Sequence, residues 1–408
     1  MATKLNLHRN DADPSYSRLI STVSNQWEGR GRACMSVRQI SQMAGTSASS
    51  IYHHFGSLEH LFLASQQACL AQAQSWGDQQ IEQLDGFAGS PESFAGFFAY
   101  IVDEWTQACR PLAFARRECA LMAGRSAQFR EQEEQWRALW ADFWGRASRV
   151  FALGASTAIV ERIFDSESLL HMLRWRRTVD QAALEETARG LAAWLAGKPA
   201  PAAPWREFAQ AQAMRSLPAA RTWDEKSWQI LKAAEDMIAV GGATSITHRS
   251  VAERAGVSLG TVSHRFRTKS ALLEAAFEGI YTRLVTRQAE PREPSPPAST
   301  STFIDNVAQA VLRDRPTDAS DDLVITAARD AELRSLGAQL RYLRGRTSRL
   351  TLQSLIGNRR TVNVLEGALF SSFLSAQFRR YAGSARANAA AELESELKVL
   401  TDLMGVGA

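Results

Sequence analysis

Apolar residues recur at three- and four-residue spacing through most of the chain, a pattern that predicts helices almost throughout. An amphipathic stretch over residues 16–27 is followed by Ile40, Met43 and Ala44, which mark the inward face of a short helix. Ile51 anchors a second short helix, and Phe55 closes the small core between them. A longer helix then runs over residues 57–74. The same order returns later. An amphipathic stretch over residues 225–240 precedes Val251 and Ala255, then Val262, then Phe266, and a long helix runs from Thr268 toward Val285. Polar residues punctuate both series at the same places. Ser36 and Thr247, Ser47 and Ser258, and Ser57 and Thr268 stand where a hydroxyl can cap a helix start. Gly45 and Gly256 stand where the chain must turn sharply, which glycine does without steric cost.

The two series are one pattern read twice. Sliding the sequence by 211 residues brings residues 36–62 onto residues 247–273 without a gap. Arg38 falls on Arg249, Ile40 on Val251, Ala44-Gly45 on Ala255-Gly256, Ser47 on Ser258, Ile51 on Val262, Phe55 on Phe266 and Leu61 on Leu272. Gly31 falls on Gly242. Each copy has the form of a helix-turn-helix inside a three-helix unit that feeds a fourth helix.

The remaining segments also read as helices. Breaks near Pro111, Gly124, Gly154 and Asp180 divide residues 91–197, which end in a helical pair over 164–177 and 180–195. The second half repeats that layout with 361–381 and 387–403. Small residues over 367–378 would allow close helix approach there, either between paired halves or within their own domain. Residues 197–222 are Pro- and Ala-rich and read as a linker, with a helix over 205–217 opened by Pro204. Its reach is roughly 55 Å, against about 40 Å for the diameter of a 200-residue domain, so it lets the halves pair. Residues 290–302 read as an exposed loop. The expected domains are 14–74 (first helix-turn-helix), 75–197 (helical regulatory and dimerisation domain), 198–222 (linker), 223–286 (second helix-turn-helix) and 287–408 (second helical domain).

The 408 residues are 45% apolar and 22% charged, an ordinary globular composition. No apolar run reaches the roughly 20 residues of a membrane helix, and residues 1–17 lack a secretory apolar stretch. The expectation is a cytoplasmic protein. A formal charge of +4 with a pI of about 9.0 gives weak support for an anionic partner. Cys34, Cys69, Cys109 and Cys119 have neither zinc-site nor disulfide-framework spacing and read as buried thiols, with a redox sensor as the alternative. No nucleophile elbow, phosphate loop, dinucleotide motif or zincin motif occurs, so no enzyme, cofactor or metal is expected.

These residues resemble the DNA-binding domain of the tetracycline-repressor (TetR) family. The second copy carries the family pattern at Thr247, Val251, Ala252, Ala255, Gly256, Val257, Ser258, Thr261, Phe266, Lys269 and Leu272. The first carries it at Ser36, Ile40, Ala44, Gly45, Ser47, Tyr52, Phe55 and Leu61. The resemblance implies an all-α chain of two TetR-like units, each a helix-turn-helix followed by a helical domain. It also implies that a tyrosine ending the recognition helix and a lysine opening the next one touch the DNA backbone. The first copy keeps Tyr52 but has Leu58 in place of the lysine. The second keeps Lys269 but has Ser263 in place of the tyrosine.

By this resemblance the recognition helix lies in the major groove. Base reading falls to Ala48, Ser49, Ser50 and His53 in the first copy, with Ser36, Arg38, Ser47 and Tyr52 supporting. In the second copy it falls to Leu259, Gly260, Thr261 and His264, with Thr247, Arg249, Ser258 and Lys269 supporting. Basic residues crowd the second copy (His248, Arg249, Arg254, His264, Arg265, Arg267, Lys269); the first has Arg30, Arg32, Arg38 and His53-His54. The implied partners are a double-stranded DNA operator and a small-molecule effector. The two halves are expected to pair within one chain, with a homodimer as the alternative. Trp136, Trp140 and Trp144 at i, i+4 and i+8, with Trp105, read either as core or as an aromatic ligand pocket. Arg334, Arg341, Arg344, Arg346 and Arg349 read as a solvated face or an anion site, and His171 as a satisfied buried histidine. The expected function is a ligand-responsive repressor. The alternative is a TetR-like sensor or interaction protein that no longer binds DNA.

Overall fold

The computed structural model describes residues 14–32, 35–217, 223–289, 299–313, 318–381 and 388–405. These are helical between short connections, with no strand among the described residues. In chain order the first half has α1 (Pro14–Gln26), α2 (Val37–Met43), α3 (Ala48–Phe55), α4 (Leu58–Glu82), α5 (Pro91–Gln107), α6 (Arg110–Arg125), α7 (Gln128–Phe151), α8 (Thr157–Leu170) and α9 (Arg177–Leu195). Then come α10 (Pro204–Arg215), α11 (Glu225–Gly241), α12 (His248–Ala255), α13 (Leu259–Arg265) and α14 (Lys269–Ala289). The chain ends in α15 (Thr300–Arg313), α16 (Asp318–Arg329), α17 (Arg334–Tyr342), α18 (Arg346–Ile356), α19 (Val364–Tyr381) and α20 (Ala389–Leu403). Of the stretch expected as a loop, residues 290–298 lie outside the described residues and Thr300 already opens a helix. Cys34 also lies outside them.

The chain divides into two compact units: residues 1–83 with 109–140, and residues 84–108 with 141–408. In the first unit, α1 and α4 pack together and α6 packs on both. Leu19, Val23 and Trp27 are buried at helical spacing, as are Leu61, Phe62 and Ala73 of α4, and the Trp27 and Phe62 rings lie 5.7 Å apart. Buried polar groups are matched in pairs. The Trp27 indole donates to Ser65 Oγ (3.1 Å), the Trp136 indole to Gln66 Oε1 (3.2 Å), and Gln66 Nε2 to the Ala115 carbonyl (2.9 Å). Arg110 ties α6 to Glu28 at 2.9 Å. Burial pushes the Cys69 thiol up to about 11 and raises Cys119 further, so neither is a thiolate at neutral pH.

In the second unit, α5 packs on α8 and α9, while α19 packs on α8, α9 and α18, and α20 on α8 and α15. The contact of α8 and α9 with α19 and α20 is strongly polar. Arg162 of α8 donates twice to Glu396 of α20, at 3.1 and 2.9 Å. Arg379 of α19 donates to Asp165 of α8 at 2.7 Å, and Ser372 Oγ to the buried Glu167 carboxylate at 2.7 Å. Close approach comes from Gly190 on α9, where a Cβ would meet Leu365 Cδ2 at 2.7 Å. Gly367 takes the within-domain arrangement, facing Arg349 and Gly345 beside its own neighbour α18. The segment expected as a linker contains α10, whose first amides, Trp205 and Arg206, both donate to Glu186 at 2.9 Å. Ala209 and Ala213 enter a core with Val179, Ala183, Ala338 and Tyr342.

His171 is fully buried and bridges elements far apart in sequence. Its Nε2 donates to Asp103 Oδ1 on α5 (2.9 Å), and its Nδ1 accepts from Arg341 on α17. The expected solvated arginine face is therefore corrected at Arg341, which is 3% exposed and lies 3.5 Å from Asp180. Arg344 is half-buried, and burial followed by the nearby Arg379 charge lowers it to about 10. Arg334, Arg346 and Arg349 are exposed.

Two outcomes are expected. Gly190→Val forces a branched side chain into Leu365 and should cost about 1–3 kcal/mol by overpacking, read as a lowered melting temperature. Burial, then the Arg341 charge, holds the His171 imidazole down at about 4. The unfolded chain takes up that proton below about 6.5, so stability should fall as pH drops from 6.5 toward 4, by up to about 3 kcal/mol. Asp103 extends the loss to lower pH, below about 4: burial opposes its charge, but the Arg177 and His171 hydrogen bonds outweigh that and hold it below the carboxylate range. His171→Gln keeps an acceptor and a donor without the titration, so denaturant midpoints across that window should flatten. An unchanged slope would remove His171 from the account.

Candidate nucleic-acid interface

Each short helix of the two copies is held at its start by a hydroxyl. Ser36 and Thr247 form reciprocal capping boxes with Gln39 and Ser250, ahead of α2 and α12. Ser47 accepts from the Ser50 amide (3.3 Å) ahead of α3, and Ser258 from the Thr261 amide (3.0 Å) ahead of α13. Between the helices, Gly45 and Gly256 turn at φ of 61° and 65°. Inside, Ile40 and Ile51, or Val251 and Val262, are fully buried, with Phe55 and Phe266 closing each core. The local folds are the same because caps, turn and anchors fall on the same register.

That packing leaves one face of α3 and one face of α13 outward. Ala48, Ser49, Tyr52 and His53 are exposed and Ser50 is half-buried; Leu259, Gly260 and His264 are exposed and Thr261 is half-buried. Ser36, Arg38, Ser47, Thr247, Arg249, Ser258 and Lys269 are exposed as well. Tyr52 keeps 55% of its surface and Leu259 43%. Several hydroxyls are engaged with the caps: Ser47 Oγ meets Ser49 Oγ at 2.7 Å and Ser50 Oγ at 3.0 Å, and Ser258 Oγ meets Thr261 Oγ1 at 2.8 Å. Each keeps acceptor capacity toward a ligand.

Two basic residues near the units are engaged by their own fold. Arg265 donates to Asp224 Oδ1 (2.7 Å) and Ser227 Oγ (2.8 Å), tying the end of α13 to the start of α11. Hydrogen bonds from Ser227, then from Arg265, lower the Asp224 carboxyl to about 2. Arg32 lies 6.0 Å from the Phe62 ring centre and 5.9 Å from that of Phe129. Arg249, Arg254, Arg267 and Lys269 are exposed cations of the second copy, and His264 is exposed too. The first exposes Arg30, Arg38 and His53.

Sequence reasoning missed the supports behind α3 and α13. Tyr16 stacks on Phe55, ring centres 4.9 Å apart, and Trp223 lies 5.8 Å from Phe266. His60 Nδ1 sits 3.0 Å from the Phe55 carbonyl, and His248 Nε2 sits 2.6 Å from the Phe266 carbonyl. No repeat signal reveals these contacts, because the residues are not equivalent in the 211-residue register.

The candidate ligand tryptophans are all buried. In the first unit, the Trp136 indole bonds Gln66, and Trp140 meets Trp76 edge-on at 6.3 Å. In the second, Trp144 is enclosed by Phe94, Phe98, Phe143 and Phe164, and Trp105 is 2% exposed. A groove of about 360 Å³ opens elsewhere, between α5 and α9, over Ala95, Gly96, Ala99 and Leu184, with Tyr100 and Asp103 beside them. Among the described residues no helix is long and apolar enough to cross a membrane.

The family model for bacterial regulatory proteins of the tetR family matches this chain twice, over residues 21–65 and 230–276. Both matches span the helix-turn-helix and reach into the following helix, so two TetR-like units stand in tandem. No curated protein matches the chain.

The turn itself is testable. A Cβ at Gly45 or Gly256 would have nothing within 4 Å, so its cost is conformational alone. Gly256→Ala should destabilise by about 1–2 kcal/mol, and Gly256→Asn by less, since asparagine tolerates the left-handed region. Equal losses in thermal melts would show that space, not backbone conformation, decides.

Proposed function

Because two tetR-family DNA-binding units stand in tandem in this chain, we propose that it is a transcriptional regulator, a repressor, whose single polypeptide reads both half-sites of one operator. The observation that carries this reading is the repeated surface: in each copy a capped two-turn helix buries its apolar side, Ile51 with Phe55 in α3 and Val262 in α13, and turns its other face to solvent. A helix so presented fits the major groove, where exposed side chains reach base edges and flanking groups bond phosphates. Ser36, Arg38, Ser47 and Tyr52 position the first copy, and Ala48, Ser49, Ser50 and His53 read. Thr247, Arg249, Ser258 and Lys269 position the second, and Leu259, Gly260, Thr261 and His264 read.

Pairing of the halves within one chain is supported by the polar contact of α8 and α9 with α19 and α20, the helices that end each half. Two unlike reading helices in such a pseudo-dimer favour an asymmetric operator. An effector that relieves repression belongs to the same proposal. The groove between α5 and α9 supports it, and the buried tryptophans do not. The loss of one backbone anchor from each copy, at Leu58 and Ser263, favours a second reading, in which the chain captures a partner regulator instead of DNA.

Selection of bound duplexes from a random pool by the intact chain separates these. Two dissimilar half-sites at fixed spacing are expected; a palindrome would assign reading to one copy across a homodimer. Affinity should fall steeply with salt, and Tyr52→Ala or Lys269→Ala should weaken all sequences alike and lower the salt slope by about one per lost phosphate contact. His53→Ala and Thr261→Ala should instead change the preferred bases. No enrichment even at low salt would favour partner capture.

A further inference from the structure

Both recognition helices end on the same problem and solve it with different residues. A two-turn helix leaves its last carbonyls without intrahelical donors. In the first copy the Phe55 carbonyl is met by His60 Nδ1 at 3.0 Å, from the first turn of α4. In the second copy the equivalent Phe266 carbonyl is met by His248 Nε2 at 2.6 Å, from the first residue of α12. A carbonyl only accepts, so the hydrogen sits on Nδ1 of His60 and on Nε2 of His248. The exchange is complete: Ala271 stands at the position of His60 in the second copy, and Val37 at the position of His248 in the first. Both histidines and Val37 are half-buried. The aromatic covers are likewise unmatched, with Tyr16 over one phenylalanine and Trp223 beside the other.

We propose that His60 and His248 are positioning residues that fix the far end of each recognition helix, and so the bases it reads, through one imidazole-to-carbonyl hydrogen bond. The proposal rests on the DNA-binding reading above. The near end of each helix is set by its serine cap, and with both ends held the outward face has one orientation. The source of the second tether differs between copies. The first recognition helix is tied forward to α4, whose packing on α1 and α6 carries the tether into the body of its unit. The second is tied back to the first helix of its own helix-turn-helix.

The test uses the full-length chain, selection from a random duplex pool, titration on the selected duplex, and melting temperature. His60→Ala should alter the preference at one half-site and His248→Ala at the other, each weakening binding about five-fold, the equivalent of one neutral hydrogen bond. Adding Val37→His to His60→Ala transplants the second copy's arrangement into the first, and should recover most of the lost preference. His248→Gln should do the same at the second copy. Loss of melting temperature with both half-site preferences unchanged, or equal change at both half-sites for each variant, would overturn the proposal while leaving the DNA reading intact. Failure of the unaltered chain to enrich any duplex would overturn both.

Discussion

A helix of seven or eight residues has almost no interior: its first amides and last carbonyls together account for nearly all of its backbone. The candidate interface is built from four such helices, α2, α3, α12 and α13. None is stable alone, so each depends on restraint from outside. The hydroxyls of Ser36, Ser47, Thr247 and Ser258 satisfy the starts. Single buried side chains, Ile51 and Val262, hold the bodies, and the carbonyls of Phe55 and Phe266 are held at the ends. Exposure of the reading face is a consequence. With its few apolar side chains turned inward on so short a helix, the opposite side faces solvent.

The helices that end each half work under the opposite constraint. They are long enough to stand, but they bury charge where they meet. Burying an unpaired guanidinium or carboxylate costs several kcal/mol, which only close pairing offsets. Arg162 and Asp165 lie one turn apart on α8 with opposite sign, and they meet Glu396 and Arg379, also of opposite sign. A shift of one turn would set like charges together in a site with little water. The seam therefore specifies register more than it adds stability. Glu167 with Ser372 and Gly190 with Leu365 act in the same direction, one by hydrogen bonding and one by shape.

The repeat made the fold legible in the sequence. A gapless register of apolar anchors, caps and glycines fixes local geometry directly, and the family model matches over the same two stretches. Contacts between elements distant in sequence were not legible. Arg341 sits among other arginines that face water, and only the fold brings it to His171 and Asp180. The tryptophan stripe at i, i+4 and i+8 correctly implied one helix face, but periodicity does not distinguish a filled core from a cavity. The neighbours matter, and Trp144 packs among Phe94, Phe98 and Phe164. Small residues over 367–378 gave the right kind of approach and left the partner of Gly367 open, because spacing names a face without naming what lies on it.

The two copies agree where the backbone sets the requirement and differ where a side chain can meet it from more than one direction. A left-handed turn admits few residues, so glycine stands at both 45 and 256. A buried core position one residue wide admits a β-branched side chain, so isoleucine and valine alternate. The carbonyl ending a recognition helix needs only a donor, which α4 supplies to one copy and α12 to the other. Equivalent shapes held by unequal contacts respond unequally to the same displacement. Movement of α4 reaches Phe55 through His60, whereas in the second copy the corresponding bond stays inside the helix-turn-helix. One covalent chain keeps its two copies at an effective concentration on the order of millimolar, so they need not be identical, as the protomers of a homodimer must be.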